Sequence, residues 1–380
     1  MITILFVHQS AELYGSDKTL LLLVKQLDKT KFYPVVVLPN EGILKDELEK
    51  ENIQVVIAPV LKLYRKMVTP KNIFNFLKDI KKGMSILDKL NKKHHFDIVY
   101  SNTLAVLLGM VFAKRRKIKH LWHVHEIIVS PKIIASVFPK LVMRNSDLVV
   151  CNSKATQNNL TQRIPKLESK SIVIYNGIEL TTQINSDTIH FGFAPRDVII
   201  TLVGRISSWK GQQLLLSAFF TLCKKHKNIK LVFLGSAPQN QEYFESNLIN
   251  KIAENKLQDK VVIFPFQKDI AKFWKSIDIA VVPSTAPEPF GMVAIEAMLA
   301  KKPVIASNHG GITEIVMDNE TGYLVQPNDK IALAEAISKL VDDSVLRNQF
   351  GEKGHNRVVQ EFSLEKHVQQ FEAAFVKLSK

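Results

Sequence analysis

Residues 279–296, I-A-V-V-P-S-T-A-P-E-P-F-G-M-V-A-I-E, constrain this chain more tightly than any other stretch. The apolar run Ile279–Val282 predicts a buried strand. Pro283 and Pro287 break it, and residues 291–300 predict a helix. The start of that helix offers unpaired backbone N–H groups and a positive dipole end, which suit a phosphate. Glu288 falls in the loop and Glu296 inside the helix. Two glutamates eight apart are ordinarily two solvated carboxylates. Glu296, however, is set in V-A-I-E-A-M-L-A, where an unpaired charge is costly. An acid buried there is expected to grip a hydroxyl, a cation or a backbone donor. The stretch therefore fits a sugar joined to a diphosphate.

The segment P-S-x3-E-P-F-G-x4-E-A, followed by P-V-I-A-S-x2-G-G-I-x-E-I-V, resembles the donor-site signature of retaining family 4 glycosyltransferases with the GT-B fold. The resemblance implies an α/β architecture. Two Rossmann-like doubly wound domains would face a central cleft, and a C-terminal helix would cross back to the first domain. The expected divisions are 1–180 for acceptor binding, 187–362 for the nucleotide-sugar donor and 363–380 for the returning helix. Residues 180–186 are the expected linker.

The remaining chain alternates strand and helix patterns, as a doubly wound sheet requires. An apolar strand over 2–7 ends at His8, and a helix opens near Ser16 or Asp17. The loop between them is neither a P-loop nor a dinucleotide fingerprint. By resemblance, Gly15 faces the donor phosphates. Strand 119–124 runs into W-H-V-H-E, which puts His125 and Glu126 at a carboxyl end, where open α/β sheets place ligands. His123 shares the face of His125 in an extended strand. H-E-x-x-H fails here, so no zinc site is expected. The resemblance assigns His125 to the transferred sugar near the reacting centre.

In the second half, V-G-R-I-S-S-W-K-G (203–211) joins a strand to a helix at Gln212. Gly204 permits a turn close to a ligand. Arg205 and Lys210 are two cations before a helix start, placed to converge on one anion. By resemblance they form the diphosphate clamp. Glu288, Phe290, Gly291, Met292 and Glu296 complete the expected donor site. Residues 309–316 read as a Gly-rich turn into a helix, and Gly310 and Gly311 are expected to let the backbone approach a ligand closely. The absence of D-x-D fits transfer without a metal, and no cofactor is expected.

Composition restricts the partners. The 380 residues, 46% hydrophobic and 23% charged, suit two globular domains. Two distant cysteines, Cys151 and Cys223, suit a reducing cytoplasm. The longest apolar run, 104–113, is about half of what would span a bilayer. The net charge of +15 is lopsided. Residues 1–180 hold 28 Lys and Arg against 15 Asp and Glu, whereas the rest is close to neutral. Residues 62–93 carry ten Lys and Arg against two Asp, and K-R-R-K-I-K follows at 114–119. Such clusters suit an anionic membrane, at about 1 kcal/mol per residue. Ile73, Phe74, Phe76, Leu77 and Ile80 beside Lys78, Lys81 and Lys82 predict an interfacial helix pair over 61–93. A core-facing helix would show a similar stripe. Nucleic acid is the rival acidic partner and is not expected.

The expected protein is thus a cytoplasmic glycosyltransferase, peripheral on the inner face of the membrane. It would move a sugar from a UDP- or GDP-linked donor, UDP being preferred, to a glycan or lipid-linked acceptor in polysaccharide or glycolipid assembly. A nucleotide-sugar epimerase of the same fold is the first rival. A basic, non-enzymatic binding protein for membrane or nucleic acid is the second.

Overall fold

The computed structural model describes residues 1–61, 70–180 and 189–380, and side chains from Phe76 onward in the helix that opens the second of these segments. The chain divides into two compact units, Met1–Gly177 with Leu364–Lys380, and Ile178–Ser363. Each is built on one parallel sheet. Both faces of a parallel sheet are covered by helices, so its strands read as unbroken apolar runs.

In the first unit the strands are β1 (Ile2–Val7), β2 (Phe32–Leu38), β3 (Gln54–Ile57), β4 (Ile98–Asn102), β5 (Lys119–Val124), β6 (Leu148–Cys151) and β7 (Ser171–Val173). Their order is β3-β2-β1-β4-β5-β6-β7. Leu5 in β1 lies opposite both Val35 and Val99. The helices are α1 (Gly15–Gln26), α2 (Ile43–Lys50), α3 (Pro70–His94), α4 (Leu108–Arg116), α5 (Lys132–Asn145) and α6 (Lys154–Thr161). Leu20, Leu23 and Val24 of α1 join Leu44 and Leu48 of α2 in one buried cluster with Ile4 and Phe6. Met84 and Leu87 of α3 join Leu108 and Phe112 of α4 in a second, with Leu5 and Val7. Alternate residues of β1 thus feed opposite faces.

The second unit contains β8 (Val198–Val203), β9 (Ile229–Leu234), β10 (Val261–Phe264), β11 (Ile279–Val282), β12 (Val304–Ser307) and β13 (Gly322–Val325). They run in the order β10-β9-β8-β11-β12-β13. Its helices are α7 (Gln212–Lys225), α8 (Tyr243–Glu254), α9 (Met292–Leu299), α10 (Lys330–Asp342) and α11 (Ser344–Glu361). Residues 309–316 form a single 3-10 turn, Gly311–Glu314, in place of the expected helix. The last helix, α12 (Leu364–Ser379), belongs to the first unit. Phe371 and Phe375 of α12 are fully buried, and Phe375 meets Phe6 and Phe32 edge-on at about 6 Å.

The stretch expected as an interfacial pair is, where described, one helix that spends its apolar stripe on the core. Phe76, Ile80, Ile86 and Leu90 pack against the buried cluster of α4, although Leu77 is exposed. Lys78, Lys81, Lys82 and Lys89 point outward. Ile73 and Phe74 lie outside the described side chains, as do residues 62–69. All of the expected linker after Leu180 is likewise outside the described residues. No helix among the described residues is long and apolar enough to cross a membrane.

Candidate functional site

The order of the second sheet puts β8 beside β11, with successive strands laid outward on either side. This is a topological switch point, where open α/β sheets leave a crevice at the carboxyl ends of their strands. The loop 203–211 leaves β8 there, and the loop 283–291 leaves β11. Two backbone contacts lock the loops together. Thr285 N–H donates to Trp209 O at 2.7 Å. Gly211 adopts φ +85°, and a Cβ there would lie 2.1 Å from Pro283 O, so only glycine fits the junction.

That junction brings Lys210 to Glu288. Lys210 Nζ donates to Glu288 Oε1 at 2.6 Å and sits 4.5 Å above the Trp209 ring. Ser284 Oγ donates to the same oxygen at 2.7 Å. The His309 ring in turn donates from Nε2 to Ser284 O at 2.9 Å. Gly311 N–H holds Glu288 O at 2.7 Å. A charge-assisted cluster of this kind fixes the carboxylate without solvent. Sequence reasoning misses Ser284 and His309. Each lies just beyond a strand of the parallel sheet, which is the signal they carry.

The acid that is buried is Glu288, at 5% exposure, whereas Glu296 is only half-buried. The expectation for Glu296 rests on its apolar neighbours in sequence. Those neighbours lie on other sides of α9. Met292, Val293, Glu296 and Ala300 form its one incompletely buried face, and Ala294, Ile295, Ala297, Met298 and Leu299 are buried. Phe290 is buried too and meets Phe362 edge-on, so only its backbone can serve a ligand. Gly291 caps α9, and Met292 is its first residue. Arg205 is exposed, with its carbonyl held by Gln212 Nε2 at 2.9 Å. Gly204 lies beside the Lys210 stem: a methyl added there would meet Lys210 Cδ and Cε at 3.9 Å. Gly310 approaches Glu288 rather than leaving an opening for a ligand.

The first sheet has its own switch point between β1 and β4. His8 follows β1, Asn102 ends β4, and His125 follows β5. His125 Nε2 lies 2.8 Å from Asn102 Oδ1 and 3.1 Å from His123 Nδ1. Burial pushes the His125 ring down to about 3, with His8 and His367 adding to the effect. Gly15 opens α1 and is exposed, with open space where a side chain would stand. Glu126, next in the chain, accepts the N–H groups of Leu104 at 3.1 Å and His125 at 3.0 Å. Burial nevertheless pushes its carboxyl up to about 7.

These buried rings set an acid limit on the fold. Burial holds His120 and His367 at about 4, and His123 well below its ordinary value. In the unfolded chain such rings take a proton near 6.5. Their contribution to stability is therefore whole above about pH 6.5 and is lost as pH falls through about 4. Glu126 works in the opposite sense: its folded form binds the extra proton, so its contribution weakens as pH rises from about 4.5 to 7. Four rings outweigh one carboxyl. The urea midpoint is expected to fall clearly between pH 7 and pH 4.5, and a midpoint unchanged over that range would contradict the assignment of neutral buried rings.

Comparison with known proteins places these observations. The model of glycosyltransferase family 4 matches residues 14–182, and that of glycosyl transferases group 1 matches residues 186–357. An uncharacterized glycosyltransferase of Methanocaldococcus jannaschii is 29% identical, covering 94% of this chain and 93% of its own. The lipopolysaccharide 1,2-N-acetylglucosaminetransferase of Salmonella typhimurium is 25% identical, covering 89% and 87%. The crystal structure of Anabaena HepE in complex with UDP-glucose superposes with a TM-score of 0.81 at 25% identity, covering 99% of this chain and 100% of that one. The two family models share out nearly the whole length in the order of the two units, and the chain belongs to the family 4, group 1 glycosyltransferases and has their GT-B fold.

Proposed function

We propose that the chain moves a sugar from a nucleoside diphosphate, UDP in preference to GDP, to an acceptor hydroxyl with retention of anomeric configuration. The observation that carries this reading is the buried Glu288 carboxylate, gripped by Lys210 and Ser284 just before α9. A cation, a carboxylate and a helix start side by side offer one subsite for a diphosphate and another for sugar hydroxyls. A carboxylate has about four acceptor positions, so Glu288 can hold hydroxyls in addition to its two donors. Likeness to HepE with UDP-glucose supports uridine as the base. Likeness to a lipopolysaccharide-building transferase supports a cell-surface glycan or glycolipid as product.

In this reading Arg205, Lys210 and the amides around Phe290, Gly291 and Met292 take up the charge that grows on the leaving diphosphate. Glu296 holds the ribose hydroxyls, and Gly15 and Gly204 leave room for the phosphates. His125 meets the transferred sugar. The acceptor oxygen bonds to the anomeric carbon on the face from which the diphosphate departs, and the hydroxyl proton passes to that diphosphate. No resident cofactor or metal enters. The exposed lysines of α3 attract an anionic membrane surface carrying a lipid-linked acceptor.

A thermal-shift panel of UDP, GDP, ADP and a short RNA, each with and without EDTA, tests the reading. UDP at a hundredfold excess over its Kd stabilises by about 2.7 kcal/mol. That shift should survive EDTA and disappear in Glu296→Ala. A response to RNA alone would identify a basic binding protein instead. UDP-sugar turnover to a second sugar nucleotide, with no acceptor consumed, would identify an epimerase.

A further inference from the structure

The first unit holds a chain of buried polar side chains that leads to His125 from two directions. Asp17, in the first turn of α1, accepts His8 Nε2–H at 2.6 Å, the Ser10 hydroxyl at 3.0 Å and Tyr14 N–H at 3.0 Å. Burial raises the Asp17 carboxyl, but the bonds from His8, Tyr14 and Ser10 outweigh it and hold the group below its ordinary range. Asp17 is therefore an anion, and His8 carries its proton on Nε2. Its Nδ1 is then an acceptor, and Asn102 Nδ2 donates to it at 2.9 Å. The same amide nitrogen also faces Ser16 O at 3.4 Å. Two acceptors on one side settle which way the Asn102 amide points. Its Oδ1 is left 2.8 Å from His125 Nε2. An oxygen with no hydrogen requires one from its partner, so His125 carries its proton on Nε2.

The opposite direction is compatible with that proton. Burial pushes the Tyr100 hydroxyl well above its ordinary value, so it stays protonated and has a hydrogen to offer His123 Nδ1. That nitrogen then carries no hydrogen of its own, so the approach of His125 Nε2 to 3.1 Å sets no second hydrogen against the one that Asn102 Oδ1 receives. A neutral His125 ring protonated on Nε2 bears a lone pair on Nδ1.

The geometry assigns Asp17, His8 and Asn102 as positioning residues that fix the tautomer of His125, so that its Nδ1 meets a sugar hydroxyl as a hydrogen-bond acceptor only. The tautomer follows from contacts within the first unit, whereas the use of Nδ1 rests on the transferase reading. A ring of the opposite tautomer would present N–H to the same hydroxyl and could not accept its proton.

The test is nitrogen–proton correlation NMR on the full chain labelled with 15N-histidine, with His125 identified from the spectrum of His125→Gln. The wild type should show His125 protonated on Nε2. Asp17→Ala removes the acceptor that holds His8, lets the Asn102 amide turn over and should move the His125 proton to Nδ1. Asp17→Asn keeps a carbonyl oxygen for His8 and should restore Nε2. Asp17 also ties down Tyr14 at the start of α1, so Asn102→Leu serves as the variant that spares that helix; it should leave His125 with both tautomers. In transfer assays Asp17→Ala should lower kcat about tenfold with little change in donor KM, and Asp17→Asn should recover it. Protonation of wild-type His125 on Nδ1 would overturn the inference. So would persistence of Nε2 protonation in both Asp17→Ala and Asn102→Leu. A tautomer that shifts while kcat stays constant would overturn the role of Nδ1 in transfer. Absence of any nucleotide binding in the wild type would instead defeat the transferase reading and leave the tautomer result standing.

Discussion

Lys210→Met is expected to lower kcat/KM about 10²–10³-fold and to destabilise the protein by about 3 kcal/mol in the same variant. Under the proposed function, the activity loss follows from removing the cation assigned to the leaving diphosphate. The stability loss has a separate origin. Glu288 is 6% exposed in its side chain and Lys210 18%, so the ion pair is largely removed from water. Deleting the cation leaves a buried carboxylate held by the Ser284 hydroxyl without a counter-charge beside it. The double variant Lys210→Met, Glu288→Gln separates the two effects. It should regain most of the lost stability, because a buried amide needs no counter-charge, and none of the lost activity. Urea denaturation and steady-state kinetics on the four members of the cycle measure both. A Lys210→Met variant as stable as the wild type would show that Glu288 is not held by this pair.

Gly310→Ala is expected to have the second large effect, although Gly310 belongs to neither loop that bears the cations and acids. It adopts φ +72°, ψ −164°, a conformation open in practice only to glycine, and forcing another residue into it costs about 1–3 kcal/mol. Its Cβ would also lie 2.3 Å from Glu288 O and 2.8 Å from Glu288 N. Both atoms are backbone, so the strain is relieved only by moving the Glu288 loop away from β12 and its following turn. That movement would break the bond from Gly311 N–H to Glu288 O and swing the carboxylate off Lys210 and Ser284. Donor KM should therefore rise at least tenfold, together with a lower melting temperature. Gly15→Ala is the control for the melting temperature alone, since a methyl there meets nothing within 4 Å. Unchanged donor affinity in Gly310→Ala would mean that the carboxylate is positioned by its side-chain partners alone.

Most of the architecture is legible because each strand is an apolar run punctuated by glycine, proline or a polar cap. β5 and β8 have the bounds their sequence predicts, and α9 begins one residue after the predicted start. The helices α10 and α11 escape the sequence reading, although Asp329 and Asp343 cap them through their side chains. Where reading by neighbours replaces reading by helical period, it misplaces the burial: Glu296 is expected inside the apolar surroundings of α9, and it lies on the face the helix leaves half open. The amphipathic stripe of α3 is ambiguous for a related reason. Lysines beside phenylalanines describe a membrane-facing helix and a core-facing one equally well until the packing partner is known.

The candidate site divides along the same line. Glu288, Arg205 and Lys210 can be named as candidates from sequence, because they stand in the motifs that carry the family resemblance. Their grouping cannot. Lys210 and Glu288 are 78 residues apart, His8 and Asn102 94 apart, and only the sheet orders bring them within hydrogen-bond reach. By itself the sequence determined the local elements and, through motif resemblance, the family, since these depend on patterns along the chain. The tertiary structure alone decided which acid is buried, which cation answers it and which nitrogen of His125 holds the proton. Those outcomes depend on strand order and on the polarity of hydrogen bonds between distant segments, and neither is encoded in the spacing of residues along one segment.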